Sequence, residues 1–327
     1  MSAVRKKPTI FDVARLARTS SGTVSRVINN RPNVAPSTRE EVLEAARKLG
    51  FMPQQTTRRI NIGVVTRDIE PVHEAGYMGR VLSELINQAA AHDVSLEIVP
   101  LKDIQRVYTH YMQGLIGLLY GEAAQVVRKV RHIPVLLINN AGEKSSFLSV
   151  ASDHAEGARL GAAHLLERGH RRIALVQIEK ADWGARERER GFREAFAQAG
   201  VPVSEDLIVY LESWSIEEAF DPVLKKNPTA VFVSGEDLSI AIMDALIHRL
   251  KIRIPRDLSL LTYEIPLLSS LLTPPMTTIA QPWSEMARLA IRQILLAVRK
   301  TAGLSRALML PNQLIERASV TFNKMTV

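Results

Sequence analysis

From Ile62 onward, short apolar runs alternate with longer amphipathic stretches, and this alternation limits the possible folds more than any other feature of the chain. The strand-like runs are Ile62–Val65, Leu96–Val99, Leu115–Leu119, Val135–Ile138, Ile173–Val176, Leu207–Tyr210, Val231–Val233 and Leu258–Leu261. Helix-like segments lie between most of them, at 76–91, 122–131, 155–168, 185–199, 215–226 and 237–250, with a last one at 284–300. Strands that are apolar throughout need cover on both faces. Helical connections supply that cover, so the pattern predicts an α/β body built on parallel sheets. Periodicity leaves open whether the strands form one large sheet or two smaller ones.

With 327 residues, 46% of them apolar, the chain has material for about two domains with ordinary cores. It contains no cysteine, which excludes a disulfide scaffold, thiolate metal sites and a cysteine nucleophile. No run approaches the ~18 apolar residues of a spanning helix. The basic start, Met1 to Lys7, leads into Pro8-Thr9-Ile10-Phe11-Asp12, where a signal peptide would carry an apolar stretch. The expectation is a soluble cytoplasmic protein without a membrane partner.

The net charge of +8 is concentrated at one end. Residues 1–59 hold twelve lysines and arginines against four acids, and the remaining residues hold thirty of each. A basic head on a neutral body suggests nucleic-acid binding, although basic surfaces also attract anionic membranes.

Three short helical runs are legible in that head. Ile10, Val13, Ala14 and Ala17 fall at helical spacing, with Thr9 placed to cap them. Ser20 is a good N-cap for a second run whose apolar stripe is Val24, Val27 and Ile28. Ser37, with Glu40 three residues on, predicts a capping box for a third run that Gly50 ends. Two helices joined by a tight turn and braced by a third form the helix-turn-helix layout. Its second helix enters the major groove of DNA.

The stretch TIFDVARLARTSSGTVSRVINNRPNVAPSTREEVLEAARKLGFMP resembles the DNA-binding domain of the lactose-repressor/galactose-repressor (LacI/GalR) family. Asp12-Val13-Ala14, Thr23-Val24-Ser25-Arg26-Val27, Asn29, Thr38-Arg39 and Gly50-Phe51-x-Pro53 carry the likeness. The resemblance makes Ser21 to Arg26 the recognition helix. Ser21 and Gly22 occupy base-reading positions, and Arg26 reads guanine or clamps a phosphate. Thr9, Ser20, Thr23, Ser25 and Asn29 are then the expected phosphate partners.

Two departures from the family stand in this region. Arg18 occupies a turn position where the family usually has glycine, so positive φ there would carry strain. After Pro53 the linker is several residues short and lacks the leucine that relatives wedge into the minor groove. Arg58 and Arg59 either contact a narrow minor groove or belong to a solvated tether.

No catalytic or metal-binding pattern is present in the body: there is no Gly-rich phosphate loop, no HExxH and no GxSxG. No cofactor and no enzymatic activity are expected. The body instead resembles the LacI/GalR effector domain, related in fold to periplasmic sugar-binding proteins. The likeness rests on Asp153 with Gly157, Gly169-His170-Arg171-Arg172-Ile173-Ala174, Arg188-x-x-Gly191-Phe192, Ile254-Pro255-x-Asp257-Leu258-Ser259 and Pro274-Pro275-Met276-Thr277-Thr278-Ile279.

The resemblance implies an all-α helix-turn-helix head (1–53), a short linker (54–61) and a periplasmic-binding-protein-like α/β body (62–327) of two subdomains with parallel sheets. The N-subdomain would span about 62–165 and 283–310, and the C-subdomain about 166–281 and 311–327. It also implies a homodimer on a near-palindromic double-stranded operator, and a small-molecule effector, expected to be a sugar, in the interdomain cleft.

The positions carried over for the effector are Asp153, Glu156, Arg188, Trp214, Glu236, Glu264, Gln281 and Trp283. For each tryptophan the alternative is a packed core residue. For Arg188 it is a surface ion pair with Glu187 or Glu189. Gly235-Glu236 replaces the family's Asn-Asp, and the segment between Val99 and Gly114 is trimmed. These differences leave room for a regulator whose cleft binds no effector; a sugar-binding protein without a DNA role is the remaining alternative.

Overall fold

The computed structural model describes residues 8–29, 31, 33–51, 60–67, 76–119, 121–127, 129–141, 147–178, 182–211 and 216–323. Arg58, Arg59 and Trp214 lie outside them, and the side chain of Glu236 is likewise not described.

The head contains α1 (Ile10–Leu16), α2 (Ser21–Ile28) and α3 (Pro36–Leu49). Val13, Val24, Val27, Val42, Leu43 and Ala46 close into one small core. Thr9 and Asp12 form a capping box on α1, and the Ser20 hydroxyl caps α2 by accepting from the Thr23 amide at 3.0 Å. The predicted box on Ser37 and Glu40 does not form. The cap falls two residues earlier, at Ala35, and the third helix starts at Pro36. The fixed φ of proline suits the first helical position, so no side-chain cap is required there.

Among the described residues, twelve strands form two six-stranded sheets. The first contains β1 (Ile60–Thr66), β2 (Val94–Pro100), β3 (Gly114–Leu118), β4 (Val135–Ile138), β5 (Leu148–Ser152) and β11 (Ala307–Leu310), in the order β11-β5-β4-β3-β1-β2. The second contains β6 (Ile173–Ile178), β7 (Ile208–Leu211), β8 (Ala230–Val233), β9 (Ser259–Tyr263), β10 (Thr277–Ala280) and β12 (Gln313–Ile315), in the order β12-β10-β9-β8-β6-β7. Every pairing is parallel except that of β12 on β10.

Successive strand residues enter opposite cores. Val64, Ile116 and Leu136 face α4 (Tyr77–Ala91) and α12 (Trp283–Arg299), whereas Val65, Leu115 and Leu137 face α5 (Arg106–Thr109) and α6 (Ala124–Val127). In the second sheet, Leu175 and Phe232 meet α7 (His154–Glu167) and α8 (Trp183–Gln198). Val176 and Val231 meet α9 (Ile216–Leu224) and α10 (Glu236–Asp244), and a short α11 (Leu268–Leu271) follows β9. With both faces covered, polar–apolar alternation disappears from these strands, which is why they read as continuous apolar runs.

The chain passes between the sheets three times: from β5 into α7, from β10 into α12, and from β11 into β12. Helix α7 packs on the second sheet through Ala158, Ala162 and Leu165. The first crossing therefore lies at 152–154 rather than near residue 165. Close packing of α7 on α8 depends on Gly191: a Cβ there would sit 1.9 Å from the Ala155 carbonyl oxygen.

Candidate functional site

The head presents α2 to solvent. Its apolar stripe is buried, whereas Gly22, Arg26 and Asn29 are exposed and Ser21, Thr23 and Ser25 are half-buried. Three of the hydroxyl groups also shape the helix termini. Thr9 Oγ1 donates to Asp12 at 2.7 Å, and the hydroxyls of Ser20 and Thr23 lie 2.9 Å apart. Asn29 Nδ2 donates to the Ser25 carbonyl at 2.6 Å and to its hydroxyl at 3.2 Å, closing the helix end.

Ser25, Arg26, Asn29, Arg31 and Asn33 line a surface concavity of about 740 Å³. Arg31 and Asn33 escape sequence reasoning because they follow the helix. Folding returns them to its flank: the Arg39 guanidinium, on α3, donates to the Arg31 carbonyl at 2.7 Å. Arg18 adopts φ 50°, so the turn has the left-handed backbone that favours glycine.

Between the sheets, the residues carried over from the resemblance separate into two groups. Arg188 lies on the inner side of α8, its guanidinium carbon 5.1 Å from the centroid of the Tyr263 ring. Glu187 and Glu189, its alternative partners, are instead engaged by Arg190 and Arg193 at 2.6 and 2.8 Å. Beside Arg188 sits His154, 1% exposed, with its ring 5.4 Å from Trp183 and Nδ1 3.2 Å from the Ser152 hydroxyl. Burial, and secondarily the Arg188 charge, hold the His154 pKa well below the ordinary imidazole value, so this ring is neutral.

The residues of the other group have hydrogen-bond partners within the chain itself. Asp153 caps α7, accepting from the Glu156 amide at 2.9 Å. Glu156 accepts from the Asn312 amide at 3.3 Å, and Asn312 Nδ2 reaches the Asp153 carbonyl at 2.5 Å. Gln281 Oε1 accepts from Asn139 at 2.9 Å and from Ser152 at 2.7 Å. These contacts tie the three crossings together.

Glu264 forms a two-pronged ion pair with Arg317, at 2.8 and 3.0 Å, and accepts from Thr278. Trp283 is a core residue of the first sheet, edge-on to Tyr77 at 5.4 Å. The backbone of Glu236 opens α10 after Gly235, whose φ of 153° only glycine adopts readily.

The two halves also touch directly. Asp182 caps α8 through one carboxylate oxygen, accepting from Ala185 at 3.1 Å, and with the other accepts from the Gly121 amide of the first half at 3.3 Å. Sequence reasoning missed Asp182, His154, Trp183, Asn139, Asn312 and Arg317. Each acquires its partner from a segment or turn that only folding brings near. Asp182, three residues before Ala185 in a helical run, carried a capping signal.

Comparison with known proteins places these features in one family. Residues 9–54 match the model for bacterial regulatory proteins of the lacI family, and residues 162–320 match a periplasmic binding protein-like domain. The chain is 30% identical over 332 residues to the HTH-type transcriptional repressor PurR of Erwinia tasmaniensis, covering 95% of this chain and 96% of that one. It is 29% identical to the HTH-type transcriptional regulator DegA of Bacillus subtilis, covering 96% and 98%.

Solved structures with the same fold include a transcriptional regulator CelR–cellobiose complex, with a TM-score of 0.72 at 24% identity and coverage of 95% and 99%. Another is the lac repressor dimer bound to operator and the anti-inducer ONPF, with a TM-score of 0.68 at 23% identity and coverage of 97% and 100%. On its head, its two-sheet body and its match to these repressors along nearly its whole length, the chain belongs to the lacI family of bacterial regulatory proteins, which act as DNA-binding transcription regulators.

Proposed function

We propose that the protein is a cytoplasmic repressor that binds a near-palindromic operator as a homodimer and is controlled by a small polyhydroxylated effector, a sugar, held between the two sheets. The open polar face of α2 is the observation that carries the DNA-binding half of this reading. Arg26 is the base-reading fork, suited to guanine O6 and N7, and Ser21 and Gly22 lie over neighbouring base edges. Thr9, Ser20, Thr23, Ser25 and Asn29, with Arg31 beside them, hold phosphates. Affinity then falls steeply with salt as phosphate counterions are released. A salt-insensitive complex in a fluorescence-anisotropy titration would contradict it.

Arg188 is the effector's polar anchor, and Trp183 the neighbouring aromatic surface. Together they offer a flat guanidinium fork and a ring face, the pairing suited to a hydroxylated ring. A sugar that binds this site raises the melting temperature in proportion to ln(1 + [L]/Kd), and Arg188→Ala abolishes the shift. If no sugar stabilises the protein, the effector-free reading takes over. Two exposed leucines, Leu267 and Leu271 (80% and 77% exposed), support dimerisation through the second half. Leu267→Arg/Leu271→Arg yields a monomer in sedimentation equilibrium; a variant still dimeric removes that face from the interface.

A further inference from the structure

We infer that the DNA-binding head is docked on the first half of the body by Arg47 and Phe51 against Tyr108 and Tyr111, and that this dock, in place of a long hinge, sets the direction of the recognition helix. The consequence for DNA rests on the operator-binding reading above; the dock itself does not.

Two hydrogen bonds cross the junction in opposite senses. Arg47 Nη2 donates to the Tyr108 carbonyl at 3.2 Å, and the Tyr111 hydroxyl donates to the Phe51 carbonyl at 3.1 Å. The Tyr111 side chain also packs against the head's own hydrophobic core. Phe51 is buried in that core, and its amide is bonded to the Ala46 carbonyl at 2.9 Å, so the carbonyl Tyr111 reaches belongs to a closed helix terminus.

The body side is equally well held. Glu97 on β2 accepts from Arg106 at 2.7 Å, from His110, and from Asn61 at 3.3 Å. Asn61 on β1 in turn donates to the Tyr111 carbonyl at 3.1 Å. The trimmed stretch between β2 and β3 thus forms a short buttress fixed to two strands, and the end of α3 rests on it. None of the dock residues belongs to α2, where Gly22, Arg26 and Asn29 stay exposed. The docked head therefore remains open to DNA. In a homodimer, heads fixed to their bodies would stand a set distance apart, and the protein would discriminate operators by half-site separation.

The cysteine-free sequence makes a direct test practical. Spin labels are attached to Glu41→Cys on the head and Asp103→Cys on the body, both exposed positions, in the full-length protein. Labelled chains are diluted into unlabelled protein so that each distance lies within one chain. Pulsed dipolar spectroscopy without DNA is expected to give a narrow distance distribution. Arg47→Leu/Tyr111→Phe, which removes both hydrogen bonds and keeps the bulk, widens it about twofold or more as the tethered head samples new positions.

A broad distribution in the parent, or an equally narrow one in the double variant, overturns the dock. For the DNA consequence, one base pair is inserted between half-sites. The parent loses about tenfold in affinity and the double variant much less. Equal losses overturn the claim that the dock sets head spacing. Failure of the parent to bind any duplex would sink the operator reading and leave the distance result standing.

Discussion

At position 22 the recognition helix carries a glycine with room for more. A Cβ added there would find only the Ser20 hydroxyl, at an ordinary 3.6 Å. Glycine inside a helix is disfavoured by about 0.5–1 kcal/mol relative to alanine. Gly22→Ala is therefore expected to stabilise the isolated unfolding of the head by about that amount, read as a rise in its calorimetric melting temperature; a fall would mean that the backbone there needs glycine. The pair of Glu264 and Arg317 is the opposite case. Both side chains are more than four-fifths buried, and each satisfies the other. Arg317→Ala leaves a buried carboxylate without its cation and is expected to destabilise the second half by about 3–5 kcal/mol in urea unfolding. Arg317→Ala/Glu264→Gln should recover much of that loss; if it does not, the effect lies in packing rather than charge. In the sequence Glu264 stands only as one of the positions carried over for the effector. Its partner, 53 residues away, was invisible until the β12 end of the chain was placed beside β9 and β10.

At the scale of elements, α7 and α8 pack closely because Gly191 lets the backbones meet. Gly191→Ala drives a Cβ into the Ala155 carbonyl, a backbone atom that no rotamer change can move away. The helices must separate, and the expected penalty exceeds about 2 kcal/mol, checked by urea unfolding of the full chain. A neutral result would show that α8 shifts freely. All eight strand-like runs and most helices appear where apolar periodicity places them. The four strands it missed, β5, β10, β11 and β12, have a common cause. Leu148-Ser149-Val150-Ala151-Ser152 and Thr277-Thr278-Ile279-Ala280 are diluted by small polar residues whose hydroxyls find buried partners only in the fold, as Ser152 does on Gln281. β11 and β12 are short edge strands with half-exposed side chains, and they carry little apolar signal.

Over the whole molecule, histidine burial links stability to pH. His132 is pushed down to about 4 by burial and by the Arg47 charge, and His164 to about 4 by burial and by Arg168. His154 and His170 are lowered as well, both chiefly by burial. In each case the unfolded chain takes up a proton near pH 6.5 that the folded chain refuses until lower pH. Stability is thus independent of these groups above about pH 6.5 and falls as the pH drops from there toward 4. A melting temperature unchanged between pH 7 and pH 5 would contradict the burial of these rings. Because His132 tilts against Tyr108 at the head dock, 5.4 Å between centroids, acidification should also loosen the head, seen as a wider spin-label distribution at pH 5.

Local chemistry is enough to specify the basic three-helix head, the caps of its first two helices and the doubly covered strands, because spacing, charge and turn residues act over a few positions of the chain. The fate of the polar residues in the body was settled elsewhere. Asp153, Glu156, Gln281 and Glu264 have the same side chains whether they face a ligand or brace a crossing. Their partners in the fold are Asn312, Asn139, Ser152 and Arg317, far away along the chain: the first three meet them where the chain passes between the sheets, and Arg317 meets Glu264 within the second half, all at about 3 Å. The seat of the head on Tyr111 is of the same kind: a hydrogen bond across 60 residues has no signature in the order of amino acids, only in the surface that forms when the buttress and the helix end meet.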